Sequence, residues 1–208
     1  MIDILPVMQR QIITMVLCGL VLTGCDAGTT TSTDSAPEAK ASTAAAPRPM
    51  QARWWEWASA EPEATNPVAD TTGEQCARNQ PDDVWFLAGT FGGKVRRACA
   101  VPAGRPLVVP AINRVGDSEA DCADFMAGAK GSVTLDGADV PMDLIDHEQV
   151  TYTAGPDNPV SGTAGETTGV GCGLWGRIDA PSPGKHTVVV HGTSGTFTVD
   201  ATYTLTVA

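Results

Sequence analysis

Thr196-Phe197-Thr198-Val199-Asp200-Ala201-Thr202-Tyr203-Thr204-Leu205-Thr206-Val207 alternates polar and apolar residues without a break. Successive side chains of a strand point to opposite faces. This segment therefore carries Phe197, Val199, Ala201, Tyr203, Leu205 and Val207 on one side and a threonine-rich row on the other. The pattern predicts an antiparallel strand with one buried and one wet face, and it places Val199 in the core.

The segments before it read the same way. Residues 192–195 form a Gly-bounded turn. Residues 186–191 form a strand in which His186 and His191, five positions apart, face opposite sides and do not share a metal ion. Residues 181–184 are a turn, residues 173–178 a strand holding Trp175, and the Gly-, Thr- and Pro-rich residues 154–171 a surface loop. Residues 150–152 form a short strand. Asp136-Gly137 joins residues 132–135 to 138–142 as a hairpin, and Gly92-Gly93 joins residues 84–91 to 94–101 as another. Residues 106–112 form a strand whose prolines suit an edge or a bend. Residues 113–131 read as a solvated acidic loop. Its carboxylates fail the calcium-loop pattern, because Cys122 and Gly128 stand where glycine and glutamate are required. Many short strands between turns predict an all-β fold, an antiparallel β-sandwich of Ig-like or jelly-roll type.

One helix precedes the strands. Residues 53–60 lack alternation and end before Pro62. Trp54, Trp57 and Ala58 share a face of this short Trp-rich helix, and Trp55 points elsewhere. Such a helix is either an aromatic platform for a sugar or another flat ligand, or a lid packed on the sheets. The size of tryptophan favours the lid. Trp54, Trp55 and Trp57 nonetheless remain the candidate ligand-binding residues, since exposure would make the chain a binder and burial a structural component.

The amino-terminal end says where the protein works. Arg10 followed by an apolar run of about a dozen residues is too short to cross a ~30 Å hydrocarbon core and reads as a signal peptide, with Met8 as the expected start. Leu22-Thr23-Gly24-Cys25 resembles the lipobox of bacterial lipoproteins. The resemblance implies cleavage before Cys25, lipidation of that cysteine, and attachment to a membrane of the cell envelope. Residues 1–24 are then the signal, residues 25–49 the lipidated cysteine with a flexible Thr/Ser/Ala/Pro tether, and residues 50–208 a single β domain. With Cys18 removed, Cys76, Cys99, Cys122 and Cys172 form an even set in an oxidising compartment. Three connectivities are open, and Cys76–Cys99 with Cys122–Cys172 is favoured. The formal net charge of −11 argues against nucleic acid, which requires a basic footprint.

Trp54-Trp55-Glu56-Trp57, residues 84–93 (VWFLAGTFGG), Cys99 with Val101-Pro102-Ala103-Gly104, and Ser182-Pro183-Gly184-Lys185-His186 together resemble a family of secreted microbial β-domain proteins to which no activity is assigned. The resemblance covers most of residues 53–208. It implies a shared β fold and supplies no catalytic residues. Between Asn113 and Gly131 this chain is shorter than such relatives, which withdraws any function they house there. Asp143, Asp146, His147 and Glu148 are the dense carboxylate–imidazole cluster from which a metal-assisted hydrolase could be built. No nucleophile elbow, HExxH or P-loop accompanies them. The expected function is a non-catalytic, lipid-anchored envelope protein that binds a glycan or protein partner, with no cofactor. The alternatives are a structural envelope lipoprotein and the hydrolase.

Overall fold

The computed structural model describes residues 47–208. Cys25, its lipobox and most of the tether lie outside the described residues. The domain is mostly β, with two mixed sheets. In chain order it runs α1 (Met50–Ala58), β1 (Trp85–Phe86), β2 (Gly93–Val101), β3 (Leu107–Gly116), α2 (Glu119–Ala127), β4 (Lys130–Leu135), β5 (Ala138–Asp139), β6 (Met142–Ala154), β7 (Gly165–Ile178), β8 (Gly184–Ser194) and β9 (Phe197–Val207). One sheet has the order β1-β3-β7-β6 and the other β2-β9-β8-β4-β5.

The alternating segment is β9, and its apolar face is buried from Val199 to Val207. It lies inside its sheet, antiparallel to β8 and parallel to the edge strand β2. The β1–β3 pair is also parallel, so the expectation of a purely antiparallel sheet is corrected. Val188 and Val190 of β8, Val199 to Val207 of β9, and Leu107, Val109 and Ile112 of β3 meet in one core. Side chains of both sheets therefore interdigitate, as apolar faces that must leave water do.

Residues 84–101 differ most from expectation. They do not form a hairpin: β1 joins the four-stranded sheet and β2 the five-stranded one, and Gly92 and Gly93, at φ 114° and 83°, carry the chain across between them. Residues 84–90 are buried on both sides. Trp85 and Leu87 point into the inter-sheet core, while Val84, Phe86 and Ala88 point into a second core beneath α1. Such a segment cannot be half of a surface hairpin. At Pro110 the β3–β7 register shifts, which is the bend its prolines predicted, although β3 has neighbours on both sides.

The acidic residues 113–131 hold a helix where a loop was expected. Ser118 accepts from the Asp121 backbone N–H while Asp121 accepts from Ser118, a capping box that satisfies the free donors of the first turn of α2. The Ser118 hydroxyl, helped by the backbone donors, keeps the Asp121 carboxyl below its ordinary range. The Asp136-Gly137 hairpin forms as predicted, with both residues at positive φ. Cys76 pairs with Cys99 and Cys122 with Cys172, the favoured connectivity. Two disulfides place the domain in an oxidising, extracytoplasmic compartment. No helix among the described residues is long and apolar enough to cross a membrane.

Candidate functional site

Burial overturns the aromatic platform. Trp54, Trp55 and Trp57 are 3%, 7% and 5% exposed. Trp54 Nε1 donates to the Leu87 carbonyl at 3.0 Å and Trp57 Nε1 to the Arg78 carbonyl at 2.8 Å. Trp54 meets Trp175 edge-on and Trp57 leans on Phe86. Trp55, on the other side of the helix, stacks on Tyr152. The helix is enclosed on more than one side, so the side expected to point away is covered as well. Arg48, placed by sequence in the tether, belongs to the folded body. It pairs with Glu56 and donates to the Thr151 carbonyl, while Glu56 accepts from the Thr153 N–H. Those two side chains satisfy backbone groups on the free edge of β6, where an unpaired strand invites aggregation.

The carboxylate–imidazole cluster does not converge. Its residues lie on β6 around an irregularity between Ile145 and Glu148. Asp146 and His147 contact each other and are exposed, whereas Glu148 accepts from Gln51 Nε2 at 2.6 Å. No group of three or more His, Cys, Asp or Glu that could hold a metal ion exists among the described residues.

A different site is built at one end of the sheets, by three segments far apart in sequence. The turn after β1 presents Phe91, the loop after β6 presents Val160, and the β8–β9 turn leads into Phe197. A chamber of about 90 Å³ and an outer cleft of about 470 Å³ share Trp55, Phe91, Asn113, Val160 and Phe197 in their walls. Phe125 of α2 and Arg114 of β3 complete the outer cleft. Phe91 is 52% exposed, an unusual placement for a residue that would gain by leaving water.

Each of the three segments is held in place by its own polar anchor. Arg97, 2% exposed, donates to the carbonyls of Ala88 and Gly89 at 3.0 and 2.9 Å, to the Val68 and Asp70 carbonyls, and to the Tyr203 hydroxyl. Thr90 Oγ1 accepts from the Gly92 N–H. Asn158, buried at the centre of its loop, donates to the carbonyls of Gly155 and Thr163 and accepts from the N–H groups of Val160 and Ser161. Gly155 fits against the turn that follows α1, because a Cβ there would strike the Ala60 carbonyl. Ser194 Oγ donates to the Phe125 carbonyl, tying the β8–β9 turn to α2. Burial raises the Tyr203 hydroxyl above its ordinary value, so it stays a neutral partner for Arg97.

Two donors at this site have no partner among the described residues, Trp55 Nε1 and Asn113 Nδ2. Both residues line the chamber and the outer cleft. Buried donors are ordinarily paired, and both atoms are closed off from solvent in this conformation, so an acceptor reaches them only where the walls part. Apolar walls with a few placed polar groups are the common lining of small binding sites. Sequence reading missed Phe91, Asn113, Val160 and Phe197, because nothing local connects them. The available signals were an aromatic residue among glycines at 89–93 and a structure-forming Asp-Asn-Pro at 157–159.

No family model matches the chain, and no curated protein matches it. Among solved structures it is similar to the crystal structure of a cysteine protease inhibitor from Entamoeba histolytica, with 11% identity, 62% of this chain and 99% of that chain covered, and a TM-score of 0.28. A superposition that loose carries no argument.

Proposed function

We propose that this chain is a non-catalytic, lipid-anchored protein of the cell envelope that binds a protein partner at the three-loop end of its β domain. The observation that carries the reading is the cleft itself: Phe91, Val160 and Phe197 held open by separate polar anchors over two unpaired donors. The partner is a peptide segment. One apolar side chain enters the ~90 Å³ chamber, and its entry parts the walls so that main-chain carbonyls accept from the enclosed Trp55 Nε1 and Asn113 Nδ2. Cys25 and the tether supply the address, and the disulfides fit it. Two sheets around a shared core support a sandwich of Ig-like or jelly-roll type.

Peptide display against the full chain tests the reading. Peptides carrying a bulky apolar residue are expected to be enriched. Phe91→Glu or Val160→Glu weakens them by about tenfold or more, since each puts a charge on an apolar contact, while Leu144→Glu on β6 leaves them unchanged. Failure to enrich any peptide over the Phe91→Glu chain would refute the binding role. Mass spectrometry of the mature amino terminus tests the anchor: a diacylglyceryl mass on Cys25 is expected, and an unmodified start elsewhere contradicts it. The burial of Trp54, Trp55 and Trp57 favours a second reading, a structural envelope lipoprotein, which predicts no enriched peptide.

A further inference from the structure

Strand β1 pairs with Leu107 and Val108 of β3 and then leaves the sheet. From Pro110 onward β3 has β7 on one side and no strand on the other. Leu87 N–H donates to the Val108 carbonyl at 2.9 Å, so Val108 faces the β1 side. The register shift after Pro110 resets the alternation. A Cβ on Gly173 would strike the Ile112 carbonyl, and one on Gly169 the Gly116 carbonyl. Both carbonyls therefore lie against β7. Successive residues of an antiparallel strand turn their backbone groups to opposite edges. Asn113 and Val115 thus aim their N–H and C=O groups away from β7, and among the described residues no turn or loop backbone bonds either of them.

Other edges of the fold are covered. Arg48 and Glu56 occupy the Thr151 carbonyl and the Thr153 N–H of β6, and the Thr72 carbonyl takes the Ala98 N–H of β2. An uncovered edge is a template for a further strand. Here the edge opens into the outer cleft. Asn113, Arg114 and Val115 all line it, although alternating side chains of a strand point to opposite faces; the strand's edge forms the floor. Trp55, Phe91, Phe125, Val160 and Phe197 stand around that floor. Arg114 is the one charged residue in the walls of the chamber or the cleft. Its guanidinium lies 6.0 Å from the centre of the Phe125 ring and takes part in no ion pair among the described residues. The nearby Asp121 carboxylate is engaged by the Ser118 hydroxyl and by the N–H groups of Asp117 and Ser118.

We propose that the partner binds as an added β-strand on this edge, in the place that β1 vacates, and exchanges main-chain hydrogen bonds with Asn113 and Val115. Side chains of the added strand alternate between the two faces. Asn113 lines the chamber and Arg114 does not. A partner residue that fills the chamber therefore has its immediate neighbour on the Arg114 side. The partner is an extended segment in which an apolar residue stands next to an aspartate or glutamate. This rests on the peptide-binding reading of the loop cleft and names the conformation and charge of what it takes.

A displayed library of seven-residue peptides with leucine fixed at the centre, panned against the full chain, tests it. Enriched peptides are expected to carry an acidic residue beside the leucine, and Arg114→Glu, a change to an exposed side chain, to exchange that preference for a basic one. The enriched peptides are then made with capped ends, which removes the terminal carboxylate as a source of the charge, and with an N-methyl group on one amide at a time. Methylation of every second central amide is expected to weaken binding by about tenfold, with the amides between them tolerant. Val115→Pro removes an edge N–H that faces away from β7 and is expected to weaken binding about tenfold more than Val115→Ala, with near-ultraviolet circular dichroism reporting the fold of both. If the proline chain unfolds, the N-methyl series decides. Peptides that bind without a period of two along their amides would overturn strand addition and leave the cleft a peptide site. Enrichment with no acidic neighbour would overturn the role of Arg114, and no enriched peptide at all would overturn both the added strand and the reading beneath it.

Discussion

Replacing Arg97 with methionine removes the charge around which the Phe91 turn is organised. The guanidinium is buried without a carboxylate partner and is satisfied by backbone carbonyls and the Tyr203 hydroxyl. After the substitution Ala88 O keeps the Tyr203 hydroxyl at 2.7 Å. The carbonyls of Val68, Asp70 and Gly89 lose the donor that held them. An unpaired buried acceptor costs about 1–3 kcal/mol, so three give a gross loss of ~3–9 kcal/mol. Relief from burying a cation and partial entry of water reduce this to a net ~3–5 kcal/mol. For a domain of this size each kcal/mol moves Tm by about 2–4 °C, so Arg97→Met is expected to melt ~6–20 °C lower. Arg97→Lys keeps the charge but not the five-donor fork and should fall between the two. Thermal unfolding followed by near-ultraviolet circular dichroism measures all three chains. A Tm for Arg97→Met within about 2 °C of the wild type would refute the reasoning. An unchanged Tm with lost peptide binding would mean that Arg97 serves the cleft without supporting the fold.

Three further outcomes are expected. Val199→Asp places an unpaired charge in the inter-sheet core and should abolish cooperative unfolding; wild-type-like melting would remove β9 from that core. The His186 pair should make stability pH-dependent. Hydrogen bonds to Asp136 and to the Ser182 carbonyl raise His186 above its ordinary 6.5, and the Thr187 N–H with His186 holds Asp136 below its ordinary 3.8. The histidine's contribution is complete below its unfolded value and lost as pH rises through the raised folded value. The aspartate's is complete above its unfolded value and lost as pH falls through the lowered one. The Tm difference between wild type and His186→Gln should therefore be largest near pH 5 and shrink toward about pH 9; a difference that grows with pH contradicts the assignment. Finally, with Trp85 and Trp175 replaced by phenylalanine, iodide should quench the remaining tryptophans weakly, because Trp54, Trp55 and Trp57 are enclosed. Strong quenching in a folded chain would restore the aromatic platform.

How far the sequence led depends on the range of each interaction. The alternation of β9, the Asp136-Gly137 turn and the Trp-rich helix are set by neighbours within a few residues, and all three are legible. The partners of β1 and β2 are chosen across the whole chain. Gly92-Gly93 has hairpin chemistry, yet the apolar run Val84-Trp85-Phe86-Leu87-Ala88 must be buried on both faces, which a surface hairpin does not provide. That run was the overlooked signal. The helix α2 was hidden because its capping box uses Asp121 in place of the commoner glutamate or glutamine, and because its carboxylates drew attention to calcium. The disulfide pairing, favoured in advance, is fixed by the packing of α2 on β7, which brings Cys122 and Cys172 together across 50 residues. The loop cleft left only local hints in the sequence, an aromatic residue among glycines at 89–93 and the Asp-Asn-Pro turn at 157–159, and nothing that joined them. Phe91, Val160 and Phe197 are separated by long stretches of chain, and only the packed sheets bring them to one end.

The claim at the centre of the account is that Phe91 touches a protein partner at the loop end while the domain is held at the envelope. Site-specific photocrosslinking in the cells that make the protein tests it most directly. A benzophenone amino acid is placed at position 91 or, as a control, at Val189 on the exposed face of β8. The account predicts a discrete protein adduct from position 91 that disappears when Val160→Glu is added, and none from position 189. No adduct at 91, or the same adducts from both positions, would contradict it.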